Sequence, residues 1–135
     1  MAPADPELTR FLASLRTVAV VGLSPSADRP SNGVARYLQG CGLRVLPVNP
    51  RITEALGEPS HESLEALPEV PDVVVVFRRP DEVPEVAEAA IRSGTRGLWL
   101  QLGIRHEEAE AGAAAAGLTV VSDRCIKQEF QRLLP

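Results

Sequence analysis

Aromatic residues, cysteines and positive charge are all scarce in this chain of 135 residues. Aromatics make up 4%, too few for the stacking platforms that hold single-stranded nucleic acids. The formal net charge of −4 also leaves no broad basic face for non-specific nucleic-acid binding. Two cysteines, Cys41 and Cys125, do not make a disulfide framework, and with the two histidines they show no metal-ligand spacing. We therefore expect neither a nucleic-acid partner nor a metal ion.

Long hydrophobic runs are missing as well. No segment approaches the ~18 apolar residues of a membrane-spanning helix. The first residues, MAPADPELTRFLASLR, carry acidic side chains early and do not resemble a signal peptide. These features predict a cytoplasmic protein without a membrane partner. The length fits one domain covering residues 1–135.

Apolar runs typical of buried strands alternate with segments of helical periodicity. This alternation predicts an α/β, Rossmann-like, doubly wound sheet of about five mainly parallel strands with helices on both faces. Strand order 3-2-1-4-5 is our first choice and the flavodoxin-like order 2-1-3-4-5 the second. The predicted strands are Thr17–Gly22, Leu43–Val48, Asp72–Phe77, Gly97–Leu102 and Leu118–Ser122. The predicted helices are Pro6–Leu15, Ser31–Gly40 (with Cys41 facing inward), Ser60–Leu67, Asp81–Ser93, His106–Ala116 and Arg124–Leu134.

An arginine follows each of these strand-like runs. Ligands of open parallel α/β sheets bind in the crevice outside the carboxyl ends of the strands. A net acidic chain that places so much positive charge at this edge is expected to bind an anionic, phosphorylated ligand. The arginines are Arg29, Arg51, Arg78 with Arg79, Arg105 and Arg124.

The loop after the first strand occupies the position of a dinucleotide-binding fingerprint but does not match it. Gly22 matches the first glycine of G-x-G-x-x-G, Ser24 replaces the second, and the loop is longer and contains two prolines. Its hydroxyls, its N–H groups and the following helix N-terminus are suited to a phosphate. The alternative is that Ser31 or Asn32 only caps the helix. The loop's polar residues are Ser24, Ser26, Arg29, Ser31 and Asn32.

The end of the second strand narrows the ligand class. NAD-binding chains carry an acidic residue there for the ribose diol, whereas this chain has Asn49-Pro50-Arg51. An arginine in this position suits a phosphate on the adenosine ribose. NADP, with its 2′-phosphate, and coenzyme A (CoA), with its 3′-phosphate, both remain candidates.

Several motifs, taken in order, resemble a known family. They are VAVVGLSPSADRPSNGVARYL, YLQGCGLRVLPVNPR, DVVVVFRRP, GLWLQLGIRHEEAE and VVSDRCIKQEF. Together they resemble the stand-alone CoA-binding proteins related to the N-terminal domain of the succinyl-CoA synthetase α subunit. The resemblance covers about residues 8–133 and implies a Rossmann-like fold with CoA, or an acyl-CoA, along the strand carboxyl ends.

The resemblance also implies particular contacts. The loop Gly22-Leu23-Ser24-Pro25-Ser26 would lie against the pantetheine and pyrophosphate, and Arg51 would meet the nucleotide phosphates. The segment Phe77-Arg78-Arg79 would border the adenine and pantetheine, and Gln101-Leu102-Gly103 would lie near the thiol. Leu102 stands where the synthetase pattern has glutamate, and the synthetase's phosphohistidine domain has no counterpart here. The resemblance thus implies CoA binding without ligase chemistry.

No residue is assigned a catalytic role from the sequence. Cys125 begins the last predicted helix beside Arg124 and is a candidate reactive thiol, with a packed cysteine as the alternative. His106 is interpreted as a position at a helix N-terminus. A CoA-binding module is our leading hypothesis. An NADP-dependent oxidoreductase and a ligand-free regulatory or assembly protein are the alternatives, and the sequence identifies no protein partner.

Overall fold

Five short parallel strands form the central sheet, and five helices cover its two faces. The computed structural model describes residues 2–135. The elements are α1 (Asp5–Ala13), β1 (Thr17–Val21), α2 (Pro30–Gly40), β2 (Arg44–Val48), β3 (Glu54–Ala55), β4 (Glu58–Pro59), β5 (Val73–Val76), α3 (Val83–Ser93), β6 (Gly97–Leu100), α4 (Glu107–Ala115), β7 (Thr119–Val121) and α5 (Ile126–Leu133), with 3₁₀ turns at Leu64–Ala66 and Pro80–Glu82. Within residues 2–135, no helix has the length and apolar character needed to cross a membrane.

The sheet order is β2-β1-β5-β6-β7. The α/β fold class is confirmed, but our first-choice order 3-2-1-4-5 is wrong. The third long strand, β5, pairs with β1 in the register Val18 to Val73, and β2 pairs with β1 alone among the long strands. The five predicted strands therefore follow the second choice, 2-1-3-4-5.

Pro47 supplies the physical reason for this order. The Arg44 N–H donates to the Arg16 carbonyl, and the Val48 carbonyl accepts from the Gly22 N–H. The backbone N–H and C=O groups of the even-numbered residues of β2 therefore point toward β1. Because backbone groups alternate along a strand, residue 47 faces away from β1. The order 3-2-1-4-5 would place a strand on that side, where proline has no N–H to donate. At the sheet edge, the Pro47 carbonyl accepts instead from the His61 N–H at 3.0 Å.

Side chains alternate between two apolar cores, one on each face of the sheet. In β5, Val73 and Val75 pack on the face covered by α1, α2 and α5, whereas Val74 and Val76 pack against α3 and α4. All four valines are fully buried, as predicted for this segment. Trp99 of β6 is also fully buried, and its Nε1 donates to the Arg124 carbonyl at 2.9 Å.

Two local predictions are wrong. Ser60–Leu67 is not a capped helix: only the 3₁₀ turn at Leu64–Ala66 forms, and the Ser60 hydroxyl donates to the Asn49 carbonyl at 2.9 Å. The segment before it contains the two-residue strands β3 and β4. Cys41, predicted to face inward, is exposed because α2 ends one residue earlier and the chain turns toward β2.

Candidate functional site

The carboxyl ends of all five long strands lie along one edge of the sheet, because every pair in the sheet is parallel. The arginines that follow the strands differ in how they are engaged there. Arg79 pairs with Asp81 and Glu82, and Arg124 pairs with Glu129. Within the described residues 2–135, the other four form no ion pair with a carboxylate, which leaves their guanidinium groups available to an anion. They are Arg29, Arg51, Arg78 and Arg105.

The loop between β1 and α2 is held by its own polar groups. Ser24 donates its N–H to the Ser31 hydroxyl at 3.0 Å, and the Ser26 N–H donates to the Ser24 hydroxyl at 3.1 Å. Asn32, which is 2% exposed, donates its side-chain amide to the Ser24 carbonyl. Several N–H groups that we expected to meet a phosphate are therefore occupied. Ser26 and Arg29 remain exposed at the loop's outer side.

Asn49 holds this loop against the end of β2. Its side-chain amide donates to the Leu23 carbonyl at 2.9 Å, and its Oδ1 accepts from the Arg51 N–H at 3.0 Å. Leu23 is fully buried and Pro50 is exposed. Asn49 thus fixes the backbone from which the Arg51 side chain projects.

Gly22 lies where the ends of β1 and β5 approach each other closely. Its φ is +88°, and a Cβ at this position would lie 2.5 Å from the Phe77 carbonyl oxygen. The Phe77 N–H donates to Val21 at 2.9 Å, which locks the ends of β1 and β5 together. Phe77 is half-buried and packs on the core that α1, α2 and α5 cover. Only glycine satisfies both the backbone conformation and the spacing here.

A cleft of about 330 Å³ opens beside the ends of β1, β2 and β5. Its apolar wall includes Val48, Leu64 and Val86, contributed by β2, the 3₁₀ turn and α3. Pro50, Arg51 and Arg78 also line it, so the structure brings together three of the predicted binding residues. Arg79 does not line this cleft; its side chain is 77% exposed and engaged by carboxylates.

The cleft carries charges of both signs. The Arg92 guanidinium, 2.9 Å from Glu65, lowers the pKa of that carboxyl. Glu82 is likewise paired with Arg79, whereas Glu62 and Glu85 have no arginine partner among the described residues. The positive groups without an ion pair, Arg51 and Arg78, therefore lie at the strand ends.

Three further predicted residues lie at the end of β6, away from the cleft. Gln101 is 4% exposed, and its Oε1 accepts from the Ile126 N–H at 3.0 Å, which caps α5. Leu102 is 57% exposed. Gly103, with φ +79°, donates its N–H to Asp123 at 2.7 Å. Of these three, Leu102 alone has an exposed side chain at this edge.

Cys125 and His106 occupy helix N-cap positions. Cys125 is 8% exposed and packs in the core at the start of α5. The His106 Nδ1 accepts from the Ala109 N–H at 3.1 Å, as expected for a residue at a helix N-terminus. Within residues 2–135, no three His, Cys, Asp or Glu side chains converge as metal ligands would.

Some residues that shape this edge were not predicted from the sequence. Arg36 donates to Asn32 at 2.7 Å and to the Ala27 carbonyl at 3.2 Å, which ties the first loop to α2. The i, i+4 spacing of Asn32 and Arg36 was an available signal. Leu64 and Arg92 come from elements distant in sequence, and no local pattern indicated that they would meet in one cleft.

Three comparisons relate this chain to known proteins. A family model described as a CoA binding domain matches residues 16–131. The uncharacterized protein YneT of Bacillus subtilis is 39% identical over 125 residues, covering 93% of both chains. The structure of cell-free ID.343 from Thermus thermophilus has a TM-score of 0.93 at 41% identity, covering 97% of this chain and 99% of that one.

A more distant relative is a much larger protein. The ADP-forming acetate–CoA ligase I of Archaeoglobus fulgidus is 27% identical over 110 residues. The match covers 81% of this chain but 16% of the ligase. The shared part is therefore a small fraction of that enzyme.

Proposed function

This chain belongs to the CoA binding domain family, and we propose that it binds coenzyme A across the carboxyl ends of β2, β1, β5 and β6. The observation that carries this proposal is the pair Arg51 and Arg78. Both line one cleft at the strand ends, and neither has an ion-pair partner among residues 2–135. An arginine fork without an acidic partner is suited to a phosphate.

In the proposed complex, Arg51 binds the 3′-phosphate of the adenosine ribose. Asn49 and the edge strand fix its backbone, so the guanidinium alone has to become ordered when the ligand binds. The apolar wall of the cleft, with Leu64 and Val86, covers the adenine. Arg78, at the end of β5 on the other side of β1, provides a second positive charge for the phosphates.

The pyrophosphate lies against the first loop. Because Gly22, Ser24 and Ser26 already donate their N–H groups within the protein, side chains supply the contacts. Arg29 and the Ser26 hydroxyl are exposed and suited to this role. The pantetheine arm then runs past β5 toward Leu102 and Gly103. In this arrangement the protein holds CoA without a catalytic group of its own.

Isothermal titration with CoA, dephospho-CoA and NADPH tests the proposal. Loss of one charge-assisted contact, worth about 1.5–3 kcal/mol, should weaken dephospho-CoA binding by roughly ten- to a hundredfold relative to CoA. Arg51→Gln should weaken CoA binding by a similar factor and leave dephospho-CoA binding nearly unchanged. Arg16→Gln is the matched control. Arg16 precedes β1 at the amino ends of the strands, away from the proposed site, so this variant should retain parental affinities.

Three results would contradict parts of this assignment. Absence of CoA binding at millimolar concentration would refute the function itself. Equal affinities for CoA and dephospho-CoA would refute the role of Arg51 alone. NADPH binding tighter than CoA binding would favour the oxidoreductase alternative.

A further inference from the structure

A second cavity, of about 260 Å³, opens at the carboxyl ends of β6 and β7. Its lining shares no residue with the cleft beside β2. The residues that line it are Ala2, Arg105, Ser122, Asp123 and Arg124. The CoA phosphates are proposed to bind in and beside the first cleft, so this second cavity has no ligand assigned to it.

Two arginines and one carboxylate line the cavity. Arg105 is exposed and forms no ion pair within residues 2–135. Arg124 is held by Glu129 at 3.3 Å through one Nη atom, which leaves other N–H donors of its guanidinium free. The Asp123 carboxylate already accepts from the Gly103 N–H at 2.7 Å. Arg105 is therefore the arginine of the lining without a carboxylate partner among residues 2–135, and Arg124, although paired with Glu129, keeps free N–H donors beside it.

The cavity adjoins the end of the proposed CoA path. Asp123 accepts from the Gly103 N–H and donates its own N–H to the Ile104 carbonyl at 3.3 Å, so the two loops form one surface. Leu102, 57% exposed, directly precedes Gly103 in the first of these loops. At about 4.8 Å per strand, the step from β2 to β6 covers roughly 14 Å, a distance that the nucleotide and pantetheine arm can cross.

We propose that this cavity binds a carboxylate at the far end of an acyl chain carried on the CoA thiol. This inference rests on the proposed function, because the thioester is delivered by CoA binding at the first cleft. The methylene groups of the acyl chain contact Leu102, and the terminal carboxylate lies between Arg105 and Arg124. The planar guanidinium fork matches carboxylate geometry, which distinguishes such an acyl chain from a neutral one.

Titration with acyl-CoA pairs of equal carbon number tests this inference. The pairs are propionyl- and malonyl-CoA, butyryl- and succinyl-CoA, and valeryl- and glutaryl-CoA. In at least one pair, the thioester with a carboxylate should bind roughly three- to fivefold tighter at low ionic strength. Arg105→Gln and Arg124→Gln should each reduce this preference, whereas Arg16→Gln should retain it. Arg105 forms no ion pair, so its replacement should leave the fold intact.

The outcomes separate this inference from CoA binding itself. Equal affinities within all three pairs, with CoA still bound, would refute the inference and leave the proposed function standing. Titration with free succinate and glutarate identifies the source of the carboxylate. If a free acid binds as tightly as its thioester and Arg105→Gln weakens it, the cavity binds carboxylates but the thioester assignment is wrong. Failure of every CoA compound to bind would refute both proposals.

Discussion

Replacing Gly22 by alanine should destabilise the protein strongly. The added Cβ would lie 2.5 Å from the Phe77 carbonyl oxygen and 3.2 Å from its carbonyl carbon, and both are backbone atoms that cannot rotate away. Relief of such overpacking costs about 1–3 kcal/mol. The φ of +88° adds roughly 1–2 kcal/mol for any residue with a Cβ. Together these terms predict a loss of about 2–5 kcal/mol from the free energy of unfolding.

Gly42→Ala is a closely matched control for this measurement. Gly42 has nearly the same φ, +91°, but no atom lies within 4 Å of where its Cβ would be. Its replacement should therefore cost only the backbone contribution. Urea unfolding can be followed by the fluorescence of Trp99, the single, fully buried tryptophan. If Gly22→Ala costs no more than Gly42→Ala, the close contact between the ends of β1 and β5 does not constrain this position.

Two further predictions concern the polar groups that hold the strands and loops. Burial raises the pKa of the Asp72 carboxyl, but two backbone N–H groups at the start of β1 and the Arg96 guanidinium outweigh this and hold the pKa below its usual value. Asp72→Asn should therefore lose about 1 kcal/mol of stability at pH 7. That difference should be present at neutral pH and should vanish as the pH falls through the lowered pKa, in urea unfolding at each pH; a constant difference would contradict it. Asn49→Ala removes the hydrogen bond to the Leu23 carbonyl and should lower the free energy of unfolding by about 1–3 kcal/mol. It should also weaken CoA binding in titrations. Unchanged affinity would show that the loop keeps its shape without this hydrogen bond.

Much of the fold could be predicted from the sequence because its apolar runs are unambiguous. Four consecutive valines, Val73–Val76, place apolar side chains on both faces of a sheet, so both faces are expected to be covered. The structure buries all four. The strand order was harder to predict because it depends on pairings between distant segments. Pro47 held the relevant information: a strand whose outward-facing N–H is missing belongs at an edge.

The candidate site was predicted less completely than the fold. The strand-end arginines follow from position alone, but whether a guanidinium has an acidic partner depends on neighbours in space. Arg78 and Arg79 are adjacent in sequence, yet Arg78 lines the cleft and Arg79 is engaged by Asp81 and Glu82. The side-chain amide of a loop residue such as Asn49 can bind a ligand or hold the loop itself, and the sequence does not distinguish these roles. In the structure, the Asn49 amide donates to the Leu23 carbonyl.

The proline in β2 also bears on how copies of this chain behave when crowded together. A sheet edge with free N–H and C=O groups is a template on which another chain can add a strand and begin to aggregate. On the outer side of β2, residue 47 has no N–H to donate, its carbonyl is bonded to His61, and the Asn49 N–H is bonded to the His61 carbonyl. An incoming strand would find these bonding positions already taken or missing. Pro47, which accounts for the sheet order, thus also hinders the addition of another strand at this edge.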